Sequence, residues 1–262
     1  MHSPDDLFSK IDTLVSQVRA HKVEPQFGQE LARRQDLEVA EFADNDMVLR
    51  TLAVIIAYSQ QAKSDRVSRL LESGVYDRVF HDFQVAKLKD VNPCVFLDEH
   101  WSDIKAIRIK TKVFQLIMAA RSLNALGSFV HVLNNSGIPR RIESEDDIAK
   151  FWSGLSKLQK VLKPFDIPFL ASTTSLLHLL LHIGYDCIKP DLIVMAVAKN
   201  LGMVSDEKAD ASLRHVTRTL QAYALARGMR PAEIDLYFLI HGGQSAARQF
   251  VETPYWTTYS AA

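Results

Sequence analysis

Apolar residues recur at intervals of three and four positions along most of this chain, and this spacing places them on one face of an α-helix. Between residues 7 and 20 the series Leu7, Ile11, Leu14, Val15 and Val18 follows it closely. The N-terminal segment is therefore predicted to form an amphipathic helix.

Residues that begin or end helices flank further apolar segments. The predicted helices, each with its delimiting residue, are 47–58 with a cap among residues 44–46, 66–72 before Gly74, 212–226 before Gly228, and one that begins at Pro231.

Residues that form tight turns are sparse. The chain has 10 Gly and 9 Pro among 262 residues, and no Asn-Gly or Asp-Gly pair occurs. A sandwich or barrel of short hairpins depends on such turns, so these architectures are excluded. The expected fold class is all-α.

The composition is that of an ordinary globular protein, with 47% apolar and 24% charged residues and a formal net charge of zero. Two cysteines, Cys94 and Cys187, are too few for a disulfide framework or an iron–sulfur cluster. The most apolar stretch, residues 169–198, contains too many charged and histidine residues to cross a bilayer, and the polar N-terminus does not resemble a signal peptide. We therefore expect a cytoplasmic protein without a cofactor, and without a membrane partner.

Three separated stretches, in order, resemble the helix-hairpin-helix DNA glycosylase superfamily and its endonuclease III-like members in particular. Residues 52–67 resemble the apolar helix that ends in a Gln-rich turn. Residues 182–202 resemble the segment in which a glycine is followed seven residues later by the catalytic Asp, and Gly184 and Asp191 keep that spacing. Residues 233–244 resemble the late helix that ends in a His-Gly pair.

The resemblance implies two helical lobes with a cleft between them. Residues 44–185 would form the central lobe, with a hairpin near 167–175, and residues 1–43 and 186–262 would form the second. It also implies a DNA repair protein that binds duplex DNA as a monomer. Such a protein extrudes a damaged base and breaks its glycosidic bond. In a bacterial cell such a protein would be nucleoid-associated.

Asp191 is the catalytic candidate. Breaking the glycosidic bond develops positive charge on the sugar, which a carboxylate stabilises. Its position after Pro190 places it at the start of an apolar helix, where backbone N–H groups and the helix dipole favour the ionised form. An ordinary helix cap has the same sequence pattern. Asp186 is the nearest other carboxylate and is interpreted as a turn residue.

The segment 167–175 departs from the Gly-rich family hairpin because it keeps Pro168 and has no glycine. Its hydroxyl residues Ser172, Thr173 and Thr174 are candidates for DNA contacts, although capping of the following helix is favoured. Thr173 stands where bifunctional members carry a lysine nucleophile. A hydroxyl cannot form a Schiff base, so the resemblance implies a monofunctional hydrolase without lyase activity.

The other candidate DNA contacts lie near the first stretch and in a basic segment. Between Ile104 and Arg121 there are five basic residues and no acid. The predicted DNA-binding residues are Gln60, Gln61, Lys105, Arg108, Lys110 and Lys112, and the predicted base pocket is Tyr58, Trp101 and Tyr185. Each of these patterns also occurs in ordinary solvated helix faces and cores.

The segment 104–112 alternates apolar and basic residues as a half-buried strand does, but the resemblance places it in a helix, and we predict a helix. Residues 124–162 have no family counterpart and are interpreted as an insertion. His178 and His182 are four apart on a predicted helix, yet the surrounding leucines favour core packing, so no metal site is predicted.

Two other functions fit the sequence. The first is a DNA-binding relative that has lost catalysis, which the glycine-free hairpin favours. The second is a helical protein-interaction module that binds no DNA.

Overall fold

The computed structural model describes residues 4–38, 41–60 and 62–255, and within them the chain is helical. One isolated bridge, between Lys22 and Val251, is the only β-type pairing recorded there. The α-helices are α1 Pro4–Ala20, α2 Gln26–Gln35, α3 Asn45–Tyr58, α4 Ser64–Glu72, α5 Val75–Val79, α6 Val85–Leu88, α7 Pro93–Ile104, α8 Thr111–Leu126, α9 Phe129–Asn134, α10 Glu145–Leu162, α11 Thr173–His182, α12 Leu192–Asn200, α13 Asp210–Ala226 and α14 Pro231–His241. Short 3₁₀ segments are His81–Phe83, Lys105–Ile107, Lys163–Phe165 and Ser245–Phe250. The all-α prediction is confirmed.

The predicted helix boundaries are confirmed where a local residue sets them. Asp44 caps α3 because its carboxylate accepts a hydrogen bond from the Met47 N–H at 3.0 Å. Gly74 and Gly228 follow α4 and α13 with φ angles of 67° and 62°, in the left-handed region that glycine adopts without cost. Pro231 is the first residue of α14.

The predicted helix over residues 104–112 is wrong. Helix α7 ends at Ile104, a 3₁₀ turn follows at Lys105–Ile107, and α8 begins only at Thr111. Arg108 has a φ of 73°, which no α-helix contains. The chain therefore turns between two helices here, and the strand-like alternation has no counterpart either.

The chain divides into two compact units. Unit 1 comprises residues 1–40, 139–150 and 180–262, and unit 2 comprises residues 41–138 and 151–179. Residues 139–150 and 180–185, which the sequence places in the central lobe, belong with the two termini in unit 1. There the backbone N–H of Ile142 donates to Asp186, and the backbone carbonyl of Arg140 accepts from the Asp186 N–H.

Unit 1 is built around α14, all of whose residues from Pro231 to Ile240 are buried. Helices α1, α2, α12 and α13 and the 245–250 segment pack against it. A helix with apolar residues around its whole circumference is stable only when neighbouring elements cover it on every side. This enclosure fixes α14 as the element against which the other helices of unit 1 are positioned.

Unit 2 packs α3 and α6 against α8. An aromatic cluster of Tyr76, Phe80, Phe83 and Phe96 joins α5 to α7, with ring centroids 5.0–5.5 Å apart. Within it, the turn His81–Phe83 has three consecutive residues with positive φ, and the buried ring of Phe83 stacks on Phe80. Dense aromatic packing offsets the cost of this left-handed turn.

Among the described residues, none of the helices combines the length and apolar character that a bilayer crossing requires.

Candidate functional site

The segment that joins α11 to α12 carries the catalytic candidate, and its glycine has a clear structural role. Gly184 follows α11 with a φ of 94°. The Gly184 N–H donates to Leu181 O and the Tyr185 N–H donates to Leu180 O, at 3.1 and 3.0 Å. This is the hydrogen-bond pattern of a Schellman motif, which ends the helix and turns the chain toward α12.

Asp191 caps α12. Its Oδ1 accepts hydrogen bonds from the N–H groups of Ile193 and Val194, at 3.0 and 3.1 Å. Its Oδ2 lies 3.3 Å from the ammonium of Lys189, and the side chain is 20% exposed. One oxygen is therefore fixed by backbone N–H groups of the helix, whereas the other pairs with a partly exposed lysine.

The buried carboxylate of Asp235, on α14, binds the backbone of this segment. Asp235 Oδ1 accepts a hydrogen bond from the Lys189 backbone N–H at 3.2 Å, and Oδ2 pairs with Arg34 at 2.8 Å. Burial raises the pKa of Asp235 even though Arg34 lowers it, and the nearby Asp191 charge adds to the rise. The backbone that leads into Asp191 is thus anchored to the centre of unit 1.

Gly242, the glycine of the predicted His-Gly pair, allows α14 to approach α12 closely. A Cβ atom at this position would overlap Ile193 Cγ2 and lie 3.0 Å from Val197 Cγ2. The third stretch of the resemblance therefore packs directly against the helix that Asp191 caps.

Asp186 is a structural residue. It is 3% exposed, and its carboxylate accepts hydrogen bonds from Arg230 at 2.8 and 3.0 Å. Arg230 also donates to the backbone carbonyls of Gly184 and Leu37. A carboxylate enclosed in this way has no access to a substrate, in agreement with its interpretation as a turn residue.

The segment 167–170 forms a tight turn although it contains no glycine. The Leu170 N–H donates to Ile167 O at 3.0 Å, Pro168 takes the second position, and Phe169 takes the third with a φ of 71°. A type II turn has this arrangement and normally carries glycine at the third position. The backbone here thus keeps a conformation that the side chain of Phe169 disfavours.

The hydroxyl residues after this turn have divided roles. Ser172 Oγ accepts a hydrogen bond from the Ser175 N–H at 3.2 Å and caps α11, so the favoured capping interpretation is confirmed. Thr173 is 5% exposed and its hydroxyl accepts from Gln159, so it lies inside unit 2 and cannot contact DNA in this conformation. Thr174 is half-buried.

A cavity of about 320 Å³ lies beside the turn. Its lining is mostly apolar, with three polar side chains at Gln159, Lys163 and Asp166. Cavities of this volume accommodate small ligands. The predicted base-pocket residues are not part of its lining.

The basic residues of the segment 104–121 include exposed side chains and side chains that bind backbone carbonyls. Lys105, Arg108 and Lys110 are exposed. Lys112 is fully buried and donates to three backbone carbonyls, so its prediction as a phosphate contact is wrong. Arg121 donates to the carbonyls of Lys89 and Val91 and is half-buried.

The remaining candidates lie in different surroundings. Gln60 is exposed with a φ of 52°, and Gln61 lies outside the described residues. Tyr58 is 39% exposed, and its hydroxyl is 2.9 Å from Ser68 Oγ. Trp101 is half-buried, and the ammonium of Lys110 lies over its ring, 5.7 Å from the ring centroid. Tyr185 is buried in unit 1.

No group of three or more potential metal ligands occurs among residues 4–38, 41–60 and 62–255. Sequence reasoning missed Asp235, Arg34 and Arg230, which anchor the segment that joins α11 to α12. Their partners are distant in the sequence, since Arg34 and Asp235 are 201 positions apart. For Asp235 the sequence offers one signal, which is that it and Glu233 are the two acids of an otherwise largely apolar helix.

The chain matches no protein-family model, no curated protein and no solved structure.

Proposed function

We propose that this chain is a DNA repair glycosylase of the helix-hairpin-helix type, which binds duplex DNA and hydrolyses the N-glycosidic bond of a damaged base. The observation that carries the proposal is the geometry of Asp191. It stands seven residues after the glycine that ends α11, and one oxygen is fixed by backbone N–H groups while the other faces a partly exposed lysine.

Two further observations support the same proposal. The turn at 167–170 has a positive φ at Phe169, where the family hairpin has glycine, and this conformation supports a hairpin-like turn at this position. Gly242 packs against α12, which gives the late His-Gly pair a physical role beside Asp191. The turn at 167–170 and the packing of Gly242 thus support the proposal independently of the Asp191 geometry.

In the proposed reaction, the damaged nucleotide leaves the base stack and its sugar approaches Asp191. The bond between C1′ and the base nitrogen breaks, and its electron pair leaves with the base. The Asp191 carboxylate stabilises the positive charge on the sugar and accepts a proton from the attacking water, whose oxygen bonds to C1′. The departing base takes up a proton, and an abasic site remains.

The pairing of Asp191 with Lys189 has a consequence for this reaction. An ammonium 3.3 Å away partly neutralises the carboxylate that the sugar requires. DNA phosphates attract the same ammonium. Lys189 is therefore expected to move onto the DNA backbone as the complex forms.

The test is a panel of duplex oligonucleotides carrying alkylated, oxidised or deaminated bases, scored for abasic sites. Asp191→Asn keeps an excellent helix cap and removes the charge, so it should abolish base release and leave duplex affinity within about threefold. Asp44→Asn makes the same exchange at the cap of α3 and serves as the matched control. Base release by Asp191→Asn equal to that of Asp44→Asn would exclude Asp191 from the chemistry.

The second candidate function is DNA binding without base release. The Lys189–Asp191 pair favours it, because an ion pair at a helix cap is a complete structural role in itself. It predicts salt-dependent duplex binding, no abasic product on any lesion of the panel, and no effect of Asp191→Asn beyond stability.

A further inference from the structure

Lys112 is a buried lysine that joins two turns of unit 2. Its ammonium donates to Ala57 O and Ser59 O at 3.0 and 2.8 Å, and to Ile107 O at 2.9 Å. The first two carbonyls belong to the end of α3, and the third belongs to the 3₁₀ turn before α8. The ammonium of Lys112 thus binds both the end of α3 and the 3₁₀ turn.

Each of these turns places an exposed polar side chain next to a residue that Lys112 holds. Gln60 follows Ser59, and Arg108 follows Ile107; both side chains are exposed. Their φ angles are 52° and 73°, in the left-handed region that costs a non-glycine residue about 1 kcal/mol. Surrounding contacts must hold such conformations, and the three Lys112 hydrogen bonds act at the adjacent residues.

The surface around the two turns is rich in positive charge. Lys105 and Lys110 flank Arg108 and are exposed. Helix α4 packs against the 105–107 turn, and the side chains of Arg66 on this helix and of Lys63 just before it are exposed. The acid on that helix nearest to them, Asp65, pairs with Arg69 at 3.0 Å.

Burying an ammonium is costly, and an apolar residue would fill the same space more cheaply. The cost is visible at Lys112, because burial and the neighbouring charge of Arg108 lower its pKa to about 8. A costly group that fixes two strained turns beneath a basic surface is the arrangement expected of a binding site whose shape must be set in advance.

We propose that Lys112 is a positioning residue for a phosphate-binding face of unit 2, formed by Gln60, Lys105, Arg108 and Lys110, and that the ligand of this face is the sugar–phosphate backbone of duplex DNA. This inference rests on the proposed function for its ligand. It differs from the sequence prediction, in which Lys112 itself contacts a phosphate.

The experiment measures the affinity of the full chain for an undamaged duplex at several salt concentrations, in a double-mutant cycle. Arg108→Gln should weaken binding about tenfold at 0.1 M salt and reduce the salt slope by about one, as expected for one lost phosphate contact. Lys112→Met should weaken binding at least as much, although its side chain touches no phosphate. The double variant should bind no more weakly than Lys112→Met, because the turn that positions Arg108 is already released.

Lys157→Met is the matched control, since Lys157 also lies in unit 2 and donates to a backbone carbonyl, that of Asn135, at 2.6 Å. It should leave the affinity unchanged. If Lys112→Met does not fold, Lys112→Gln, whose amide still donates hydrogen bonds, replaces it in the cycle.

Unchanged affinity for Arg108→Gln, or additive effects in the cycle, would overturn the proposal, and so would a wild-type chain that binds no duplex at low salt. Base release is scored separately with damaged duplexes. Tight binding without any abasic product contradicts the proposed hydrolase function and leaves the phosphate-binding face intact. If the wild type releases damaged bases and Lys112→Met binds the duplex as tightly as the wild type, the phosphate-binding face is contradicted and the proposed hydrolase function is left intact.

Discussion

Phe169 holds a backbone conformation that glycine adopts without cost and that a side chain disfavours. Its φ is 71° at the third position of the turn 167–170, and its ring lies 6.5 Å from that of His178. A residue that is strained and packed at the same time indicates that the turn itself is required. The sequence shows only that this segment has no glycine, whereas the structure shows that its backbone forms a turn with a positive φ.

Replacing Phe169 tests this strain directly. Phe169→Gly and Phe169→Ala both remove the ring, so their difference reports the backbone alone. Glycine normally destabilises a folded chain relative to alanine, but at a positive φ the order reverses, and the glycine variant should be more stable by about 1 kcal/mol. Denaturant unfolding of the two variants measures this difference. A more stable alanine variant would show that the turn is not left-handed at this residue.

Lys112 gives the stability of the protein a specific pH dependence. Its pKa is about 8 in the folded protein, because of burial and then the charge of Arg108, against 10.5 ordinarily. Between these two values the unfolded chain holds a proton that the folded protein lacks, so stability rises with pH in this window. The full effect is about 3 kcal/mol.

The measurement compares the free energy of unfolding of the wild type and Lys112→Met at pH 7.5 and pH 10. The wild type should gain stability relative to the variant as the pH rises. Parallel changes in the two proteins would mean that Lys112 titrates normally and that its ammonium is solvated.

At the scale of elements, the helices whose ends depend on nearby residues were predictable, and the links that depend on distant ones were not. Asp44 caps α3 through a residue three positions away, so the sequence pattern suffices. Lys112 reaches Ala57 across 55 positions, and Arg230 reaches Asp186 across 44. The helix prediction for 104–112 rested on the resemblance, and neither the resemblance nor the alternating pattern contains the Lys112 contacts that join this turn to the end of α3.

The close approach of α14 to α12 provides a prediction at this scale. Gly242 has a φ of −79°, which alanine adopts freely, so Gly242→Ala acts only through the overlap of its Cβ with Ile193. It should destabilise unit 1 by about 1–3 kcal/mol and reduce base release, since α12 carries Asp191 at its start. Thermal unfolding and the abasic-site assay measure the two effects.

Gly28→Ala is the control for this substitution. The Cβ there meets only the carboxylate of Glu24, the end of a flexible and half-exposed side chain. Gly28 lies within α2, so alanine should leave stability unchanged or raise it by up to about 1 kcal/mol. Equal effects of the two substitutions would exclude a special contact at Gly242.

At the scale of the whole molecule, the residues of the two proposals lie in different units. The chain carries 31 basic and 31 acidic residues, yet unit 2 holds the exposed basic residues around Lys112. Unit 1 holds Asp191 with its supporting residues Asp235 and Arg34. The proposed phosphate-binding face and the proposed catalytic residue thus belong to different units, and each proposal is testable without the other.

The most direct test of the central claim is the rate of base release under single-turnover conditions, with protein in excess over a damaged duplex that the wild type processes. Asp191→Asn should lower this rate by at least about a hundredfold while Asp44→Asn leaves it unchanged, because only the first exchange removes a charge beside the sugar. The product should be an abasic site in an intact strand, as hydrolysis without a lyase step requires. A rate for Asp191→Asn equal to that of Asp44→Asn, or a strand cleaved by the protein itself, would contradict the proposed mechanism.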